Sequence, residues 1–290
     1  MDNKISLGKV AKEKPMAELL SFSIINLDKP IGPTCFTVDT HIKDLLNLTK
    51  ISHFGTLDPT TVSGVLPIAL NRACRLNDFF MHKNKTYVGI LHLHKDISEE
   101  ELKKEMKKFL GKITQTPPVR SNVARKPRKR EVFSFDLIEK DGREVLFKAE
   151  VEAGTYIRTL ATELGKNIGE AHMLELRRTQ AGIFSETDKN FVTMYQLESA
   201  VNEYKNGNEK PLREILIPAE TAIKQVLPVV QVSPKDIKQI LTGKPIIRSD
   251  LKEKLPDSEY FSLFLKDKFI AIVRAVDEGD IIARPVFVLN

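Results

Sequence analysis

His53-Phe-Gly-Thr-Leu-Asp-Pro59 runs through two threonines into Val62-Ser-Gly-Val-Leu-Pro-Ile-Ala69, and this stretch decides how the chain is read. A single acid, Asp58, sits among Gly, Thr and apolar residues. Pro59 disfavours the helical conformation for Asp58 and holds it extended or in a turn. Gly55 permits backbone geometry or a close approach that other residues resist. Leu57, Val62, Val65 and Leu66 would partly desolvate the carboxylate. Taken by itself, the Asp-Pro pair is better read as the start of a turn.

Working outward, residues 24–31 predict a short strand that ends in a turn at Pro30, Gly32 and Pro33. Residues 37–48 place Val38, Ile42, Leu45 and Leu46 on one helical face. Residues 86–94 alternate as a strand. Ser98 with Glu101 predicts a capped helix with Leu102, Met106, Phe109 and Leu110 on its buried face, ended by Gly111. Residues 131–152 read as a hairpin turning at Asp141-Gly142. A helix follows, with Ile157, Leu160, Ala161, Leu164 and Ile168 at helical spacing. Residues 201–212 are polar and read as a loop or boundary. Beyond them lie one helix and several short strands, which predict a small β-rich, barrel-like domain.

The 290 residues are 41% hydrophobic and 29% charged, too apolar for a disordered chain and long enough for about two domains. No apolar run approaches the ~20 residues that span a bilayer. The opening MDNKISLGKVAKEK has no apolar core behind its charges and does not read as a secretory signal. Cys35 and Cys74 are the only cysteines, so neither a disulfide framework nor a four-thiolate zinc site is available. These features predict a soluble, reduced, cytoplasmic protein.

Lys and Arg total 45 against 39 Asp and Glu, a net charge of +6. The distribution matters more than the sum. In RSNVARKPRKR, residues 120–130, the cations are Arg120, Arg125, Lys126, Arg128, Lys129 and Arg130, with no acid among them. Uncompensated charge of this density attracts a polyphosphate, and RNA or DNA contact is favoured over a merely solvated loop.

Taken together, these segments resemble the TruB family of pseudouridine synthases, and within it the dyskerin-type branch that works in H/ACA guide-RNA particles. The resemblance runs from about residue 24 to the C-terminus. It rests on DKPIGPT (28–34), HFGTLDP (53–59) with GVLPIA (64–69), Lys85-Thr86-Tyr87, GTYIRTL (154–160) and LRRTQAGIF (176–184), in the family's order. TPPVRSNVARKPRKREVF and VEAGTYIRTL look like the guide-dependent branch, and the lack of lysine-rich tails suggests an archaeal source. Ser52 and Cys35 depart from the usual Gly and Ser, which predicts small changes in packing only.

The resemblance implies an α+β fold: a catalytic domain with a mixed, mainly antiparallel sheet (21–228), a small PUA RNA-binding domain (229–290), and an N-terminal extension (1–20) packed near the latter. It implies isomerisation of uridine to pseudouridine with Asp58 as the catalytic carboxylate. No cofactor and no metal is implied. Arg158 would partner Asp58, although locally it reads as a surface arginine on a first helical turn. Tyr87 would stack on the flipped base, although a strand tyrosine is more often interior. Tyr156 and Leu176 would line the pocket. His53 would contact the nucleotide backbone or serve structurally. Lys244, Arg248 and Lys252 would hold RNA phosphates in the PUA domain. The implied partners are an H/ACA guide RNA, target rRNA and small companion proteins, with no membrane. The alternatives are a stand-alone enzyme acting on a tRNA loop and, from another class, a non-catalytic RNA-binding scaffold.

Overall fold

Strand β3 (Val62–Leu70) is the element around which the rest assembles, because it is apolar on both faces. Val62, Leu66, Ile68 and Leu70 point into one core cluster, while Val65 and Ala69 point into another. That is the period-two alternation of a strand, here with both faces covered. The computed structural model describes residues 14–117, 124–235, 237–248, 251 and 255–290. Residues 1–13, Arg120 and Lys252 lie outside the described residues.

In chain order the first part comprises α1 (Met16–Ser21), β1 (Ser23–Lys29), α2 (Cys35–Leu45), β2 (Ile51–His53), β3, α3 (Asn77–Met81), β4 (Lys85–Leu93), α4 (Glu99–Lys107), β5 (Gly111–Gln115), β6 (Arg128–Asp141) and β7 (Glu144–Val151). There follow α5 (Ile157–Ile168), β8 (Ala171–Ala181), β9 (Phe184–Ser185), β10 (Phe191–Thr193), α6 (Met194–Lys205), α7 (Lys210–Ile215), β11 (Ile217–Pro218) and α8 (Ala219–Val226). Eleven strands form one sheet in the order β10-β1-β3-β8-β4-β7-β6-β5, with β11, β2 and β9 paired to β1, β3 and β8. Within this sheet, among the described residues, only β1–β10 and β3–β8 pair in parallel. The sheet is thus mixed and mainly antiparallel, as the sequence predicts.

The remaining elements are β12 (Val229–Gln231), α9 (Ile237–Leu241), β13 (Ile246–Ile247), β14 (Tyr260–Leu265), β15 (Lys268–Glu278) and β16 (Ile281–Val288). Their strands form a second, five-stranded sheet in the order β12-β14-β15-β16-β13. An aromatic cluster fastens it to the first part: Phe22 stacks on Phe269 at 5.6 Å between centroids, and Phe269 meets Phe287 at 5.8 Å. Phe54, from the HFGTLDP motif, belongs to the same cluster and stacks on Phe80 at 4.9 Å. Of the N-terminal stretch, Met16 and Leu19 enter the main core, and Lys14 pairs with Glu220.

Three local readings differ from the structure. Residues 201–212 are not a loop: α6 and α7 occupy most of them, burying Val201 and Leu212 while their polar residues face solvent. Leu110 does not belong to a buried face, since α4 ends at Lys107 and Leu110 is exposed. The hairpin pairs Asp141 with Glu144, so its turn is Gly142-Arg143, one residue later than the Asp-Gly signal.

Gly64 pairs with Arg178 on β8 at φ +101°, where a Cβ would overlap the Arg178 carbonyl oxygen and lie 3.0 Å from Arg177 Cγ. The obstacle is backbone, which does not step aside. Gly64→Ala is therefore expected to destabilise the chain by roughly 2–4 kcal/mol in denaturant unfolding, combining a left-handed φ with overpacking.

Candidate active site

The loop between β2 and β3 carries Asp58, and its two ends are fixed from elsewhere. Gly32 donates its N–H to the Pro59 carbonyl at 2.8 Å, so the DKPIGPT turn leans on the loop directly. Leu57 donates its N–H to Cys35 Sγ at 3.2 Å, and that thiol donates to the Leu57 carbonyl at 3.5 Å. Cys35 thus holds the loop as well as filling space: a thiol, like a hydroxyl, can both accept and donate. His53 Nδ1 lies 2.7 Å from Asp39 Oδ2 and Nε2 lies 3.0 Å from Thr56 Oγ1. Both ring nitrogens are engaged within the chain, so the structure places His53 as a brace of the loop.

Asp58 and Arg158, 100 residues apart in sequence, meet: Arg158 Nη2 donates to Asp58 Oδ2 at 2.5 Å. The other carboxylate oxygen accepts the Thr60 hydroxyl at 2.6 Å and the Thr60 N–H at 3.0 Å, with the Thr61 hydroxyl at 3.5 Å. Burial pushes the Asp58 carboxyl up. The Thr60 hydroxyl and amide, then the Arg158 charge and Thr61, outweigh it and hold the carboxyl below its usual range. The guanidinium expected from sequence is there, but Thr60 contributes more. The signal for it was the Asp-x-Thr spacing, an Asx-type turn whose side chain bonds the backbone two residues on.

Beneath the loop lie three buried cations that the sequence did not single out as such. Arg178, 1% exposed, donates Nε to the Val65 carbonyl at 2.8 Å and Nη2 to the Gly55 carbonyl at 2.9 Å. Lys29 Nζ donates to the Pro30 carbonyl at 2.8 Å. Burial lowers its pKa, against the opposing pull of Cys35 and Asp58. Lys85 Nζ donates to the carbonyls of Met81 and Lys83. Burial, with the nearby Arg178 charge, pushes it down to about 7. On the rim, Arg177 holds Asp28 with two hydrogen bonds of 3.0 Å and Glu186 with one of 2.7 Å.

Tyr87 on β4 is half-buried, paired with Arg178 of β8 and Ala149 of β7. Tyr156 is half-buried at the start of α5, two residues before Arg158. Leu176 is 4% exposed and paired with Val62, four residues from Asp58. The basic residues divide. Arg125, Lys126, Arg128 and Lys129 are exposed, whereas Arg130 folds back over Gly154 and approaches Glu152 at 3.8 Å. Arg128, Lys129 and Arg130, three of the six cations of the 120–130 run, lie on β6, paired with Gln115, Thr114 and Ile113 of β5. Lys244 and Arg248 are exposed on the second sheet's side of the chain, far along the sequence from this loop.

A mixed sheet of this order, with the Asp58 carboxylate held against the Arg158 guanidinium, belongs to a class that comparison with known proteins identifies. The profile of the TruB family pseudouridylate synthase N-terminal domain matches residues 43–157, and that of the tRNA pseudouridylate synthase B C-terminal domain matches residues 158–224. The probable tRNA pseudouridine synthase B of Thermococcus gammatolerans is 40% identical over 96% of this chain and 84% of its own. That of Methanopyrus kandleri is 42% identical over 81% of this chain and 69% of its own. A chain in the crystal structure of a Cbf5–Nop10–Gar1 complex superposes with a TM-score of 0.86 at 36% identity, covering 97% of this chain and 88% of that one. A chain in an H/ACA RNP bound to a substrate RNA containing 2′-deoxyuridine matches with the same TM-score at 34% identity, over 97% and 89%. The chain belongs to the TruB family of pseudouridine synthases, isomerases that act on RNA, and its C-terminal sheet is PUA-like.

Without the Thr60 hydroxyl, burial meets less opposition. In Thr60→Ala, and in Arg158→Ala, the Asp58 carboxyl is expected to titrate at higher pH than in the wild type, as read by carbon-13 NMR of labelled aspartate. Unchanged titration in both variants would show that these donors do not set its ionisation.

Proposed function

We propose that this chain is the catalytic subunit of an H/ACA-type particle and converts uridine in ribosomal RNA to pseudouridine under the direction of a guide RNA. The observation that carries this reading is the match, over 97% of the chain, to the protein in the Cbf5–Nop10–Gar1 complex. The likeness to the H/ACA RNP with substrate RNA supports small companion proteins and RNA as partners. A second reading, stand-alone modification of a tRNA loop, is favoured by the relatives named as tRNA pseudouridine synthase B.

The reaction breaks the bond from uracil N1 to the ribose, turns the base, and rejoins it through C5. Every bond concerned lies within one nucleotide, so no co-reactant is consumed. In this reading Asp58 is the carboxylate that acts on the nucleotide, ionised because Thr60 and Arg158 stabilise its charge. The uridine leaves its stack to reach such a pocket. Tyr87 receives its face, regaining on the order of 1–3 kcal/mol of stacking. Tyr156 and Leu176 close the pocket. His53 braces the loop through Asp39 and Thr56. Arg125, Lys126, Arg128 and Lys129 offer exposed charge to RNA phosphates. Lys244 and Arg248 do so in the PUA-like part.

Two experiments test this. Asp58→Asn should leave guide-RNA binding intact and abolish pseudouridine formation, and retained turnover would remove Asp58 from the chemistry. The wild-type chain should convert an rRNA target strongly only with guide RNA and companion proteins. Efficient conversion of an unmodified tRNA transcript by the chain alone, with no gain on rRNA from guide and companions, would establish the second reading instead.

A further inference from the structure

Arg158 reaches Asp58 from the second residue of α5, so the placement of that helix start sets the pair. Tyr156 is the N-cap residue, at φ −95° and ψ 103°, and no side chain caps the helix. The position is held from outside. Gln115, the last residue of β5, accepts the Tyr156 N–H on Oε1 at 3.0 Å and donates Nε2 to the Tyr156 carbonyl at 3.2 Å. The same carbonyl accepts the Leu160 N–H at 3.0 Å, the first hydrogen bond of the helix. Gln115 is 2% exposed, and its own backbone is fixed by pairing with Arg128 in β6.

A primary carboxamide presents a donor and an acceptor side by side, as the peptide of a neighbouring strand would. Gln115 therefore reproduces one rung of a β-ladder against a helix start. Few other side chains can do so here. Asn is a methylene shorter, Met fills the space with neither group, and an ionised Glu sets a second acceptor against the carbonyl. The loop before Tyr156 is enclosed from the other side by Arg130, whose guanidinium would lie 3.0 Å from a Cβ on Gly154. Within the loop, Thr155 Oγ1 donates to the Glu152 carbonyl at 2.8 Å.

We propose that Gln115 is a positioning residue for pseudouridine formation, its carboxamide fixing the start of α5 so that the Arg158 guanidinium meets Asp58. This rests on the reading of Asp58 and Arg158 given above. The lever is short: two residues of helix, about 3 Å of rise, separate the clamped peptide from Arg158. A displacement of the clamp is passed on to the guanidinium almost undiminished, and misplacement by about 1 Å at a reacting centre costs as much as ~100-fold in rate.

The test uses the full chain with the RNA it converts: an unmodified tRNA transcript, or a guide–target pair with the companion proteins. Gln115→Met should lower kcat on the order of 10- to 100-fold while leaving KM for RNA nearly unchanged. The acidic limb of its kcat/KM profile should move to higher pH. Asp58 loses the charge of Arg158 from α5 and keeps that of Lys29 from β1. Should Gln115→Met fail to fold, Gln115→Glu retains the size and the acceptor and carries the same readouts. A folded variant with wild-type kcat, or one with a lowered kcat and an unmoved acidic limb, overturns the proposal. Asp58→Asn measured alongside separates the two levels. Turnover retained there removes the reading of the site, while turnover lost there with unimpaired Gln115 variants removes the clamp alone.

Discussion

A carboxylate withdrawn from water tends to take up a proton, and everything around Asp58 is arranged against that tendency. Its side chain is 19% exposed, and four donor groups from the loop itself and from α5 converge on its two oxygens. Such convergence demands that the loop and the helix be held to within fractions of an ångström. The loop is pinned by Gly32, Cys35, His53 with Asp39, and Arg178, from three different parts of the chain. The helix start is pinned by Gln115. Motifs scattered over 150 residues are thus one device, because each supplies a support for the same ionised group.

The buried cations belong to the same logic. The carbonyls of Pro30, Gly55 and Lys83 in loops, of Met81 at the end of α3 and of Val65 in β3 each accept a hydrogen bond from a cationic side chain. Lys29 and Lys85 fold back on residues one to four positions away, while Arg178 reaches across from β8 to β3 and to the Asp58 loop. Lys85 shows what this costs, its ammonium so poorly solvated that its pKa falls to about 7. Lys29 and Lys85 both feel the Arg178 charge, and Lys29 is also drawn to the Asp58 carboxylate.

The second sheet is joined to this machinery through shared core and not through a linker. Phe22, Phe54, Phe269 and Phe287 occupy one cluster, so the loop that carries Asp58 and the PUA-like part are anchored in the same apolar mass. On the proposed reading RNA contacts both the Asp58 loop and the PUA-like part, and a fixed relation between the two favours that. The aromatic contacts provide it without any polar group to be satisfied.

What could be read from the sequence was whatever is local or periodic. Alternating residues 86–94 gave β4, helical spacing from Ile157 to Ile168 gave α5, and Ser98 with Glu101 marked the start of α4. The polar stretch 201–212 misled because exposed helices and loops share a composition, and only the burial of Val201 and Leu212 tells them apart. Asp58, Arg158 and the tyrosines were legible through family resemblance, as residue types in a recurring order. Thr60 was not recognised, although its spacing from Asp58 was visible. The chain alone therefore determined the elements and the chemical groups available. The fold decided which groups meet: Arg158 with Asp58 across 100 residues, Gln115 with Tyr156 across 41, Arg178 with Gly55 across 123. Contacts at that separation leave no periodic trace, because they are made by strand order and register, which no single segment encodes.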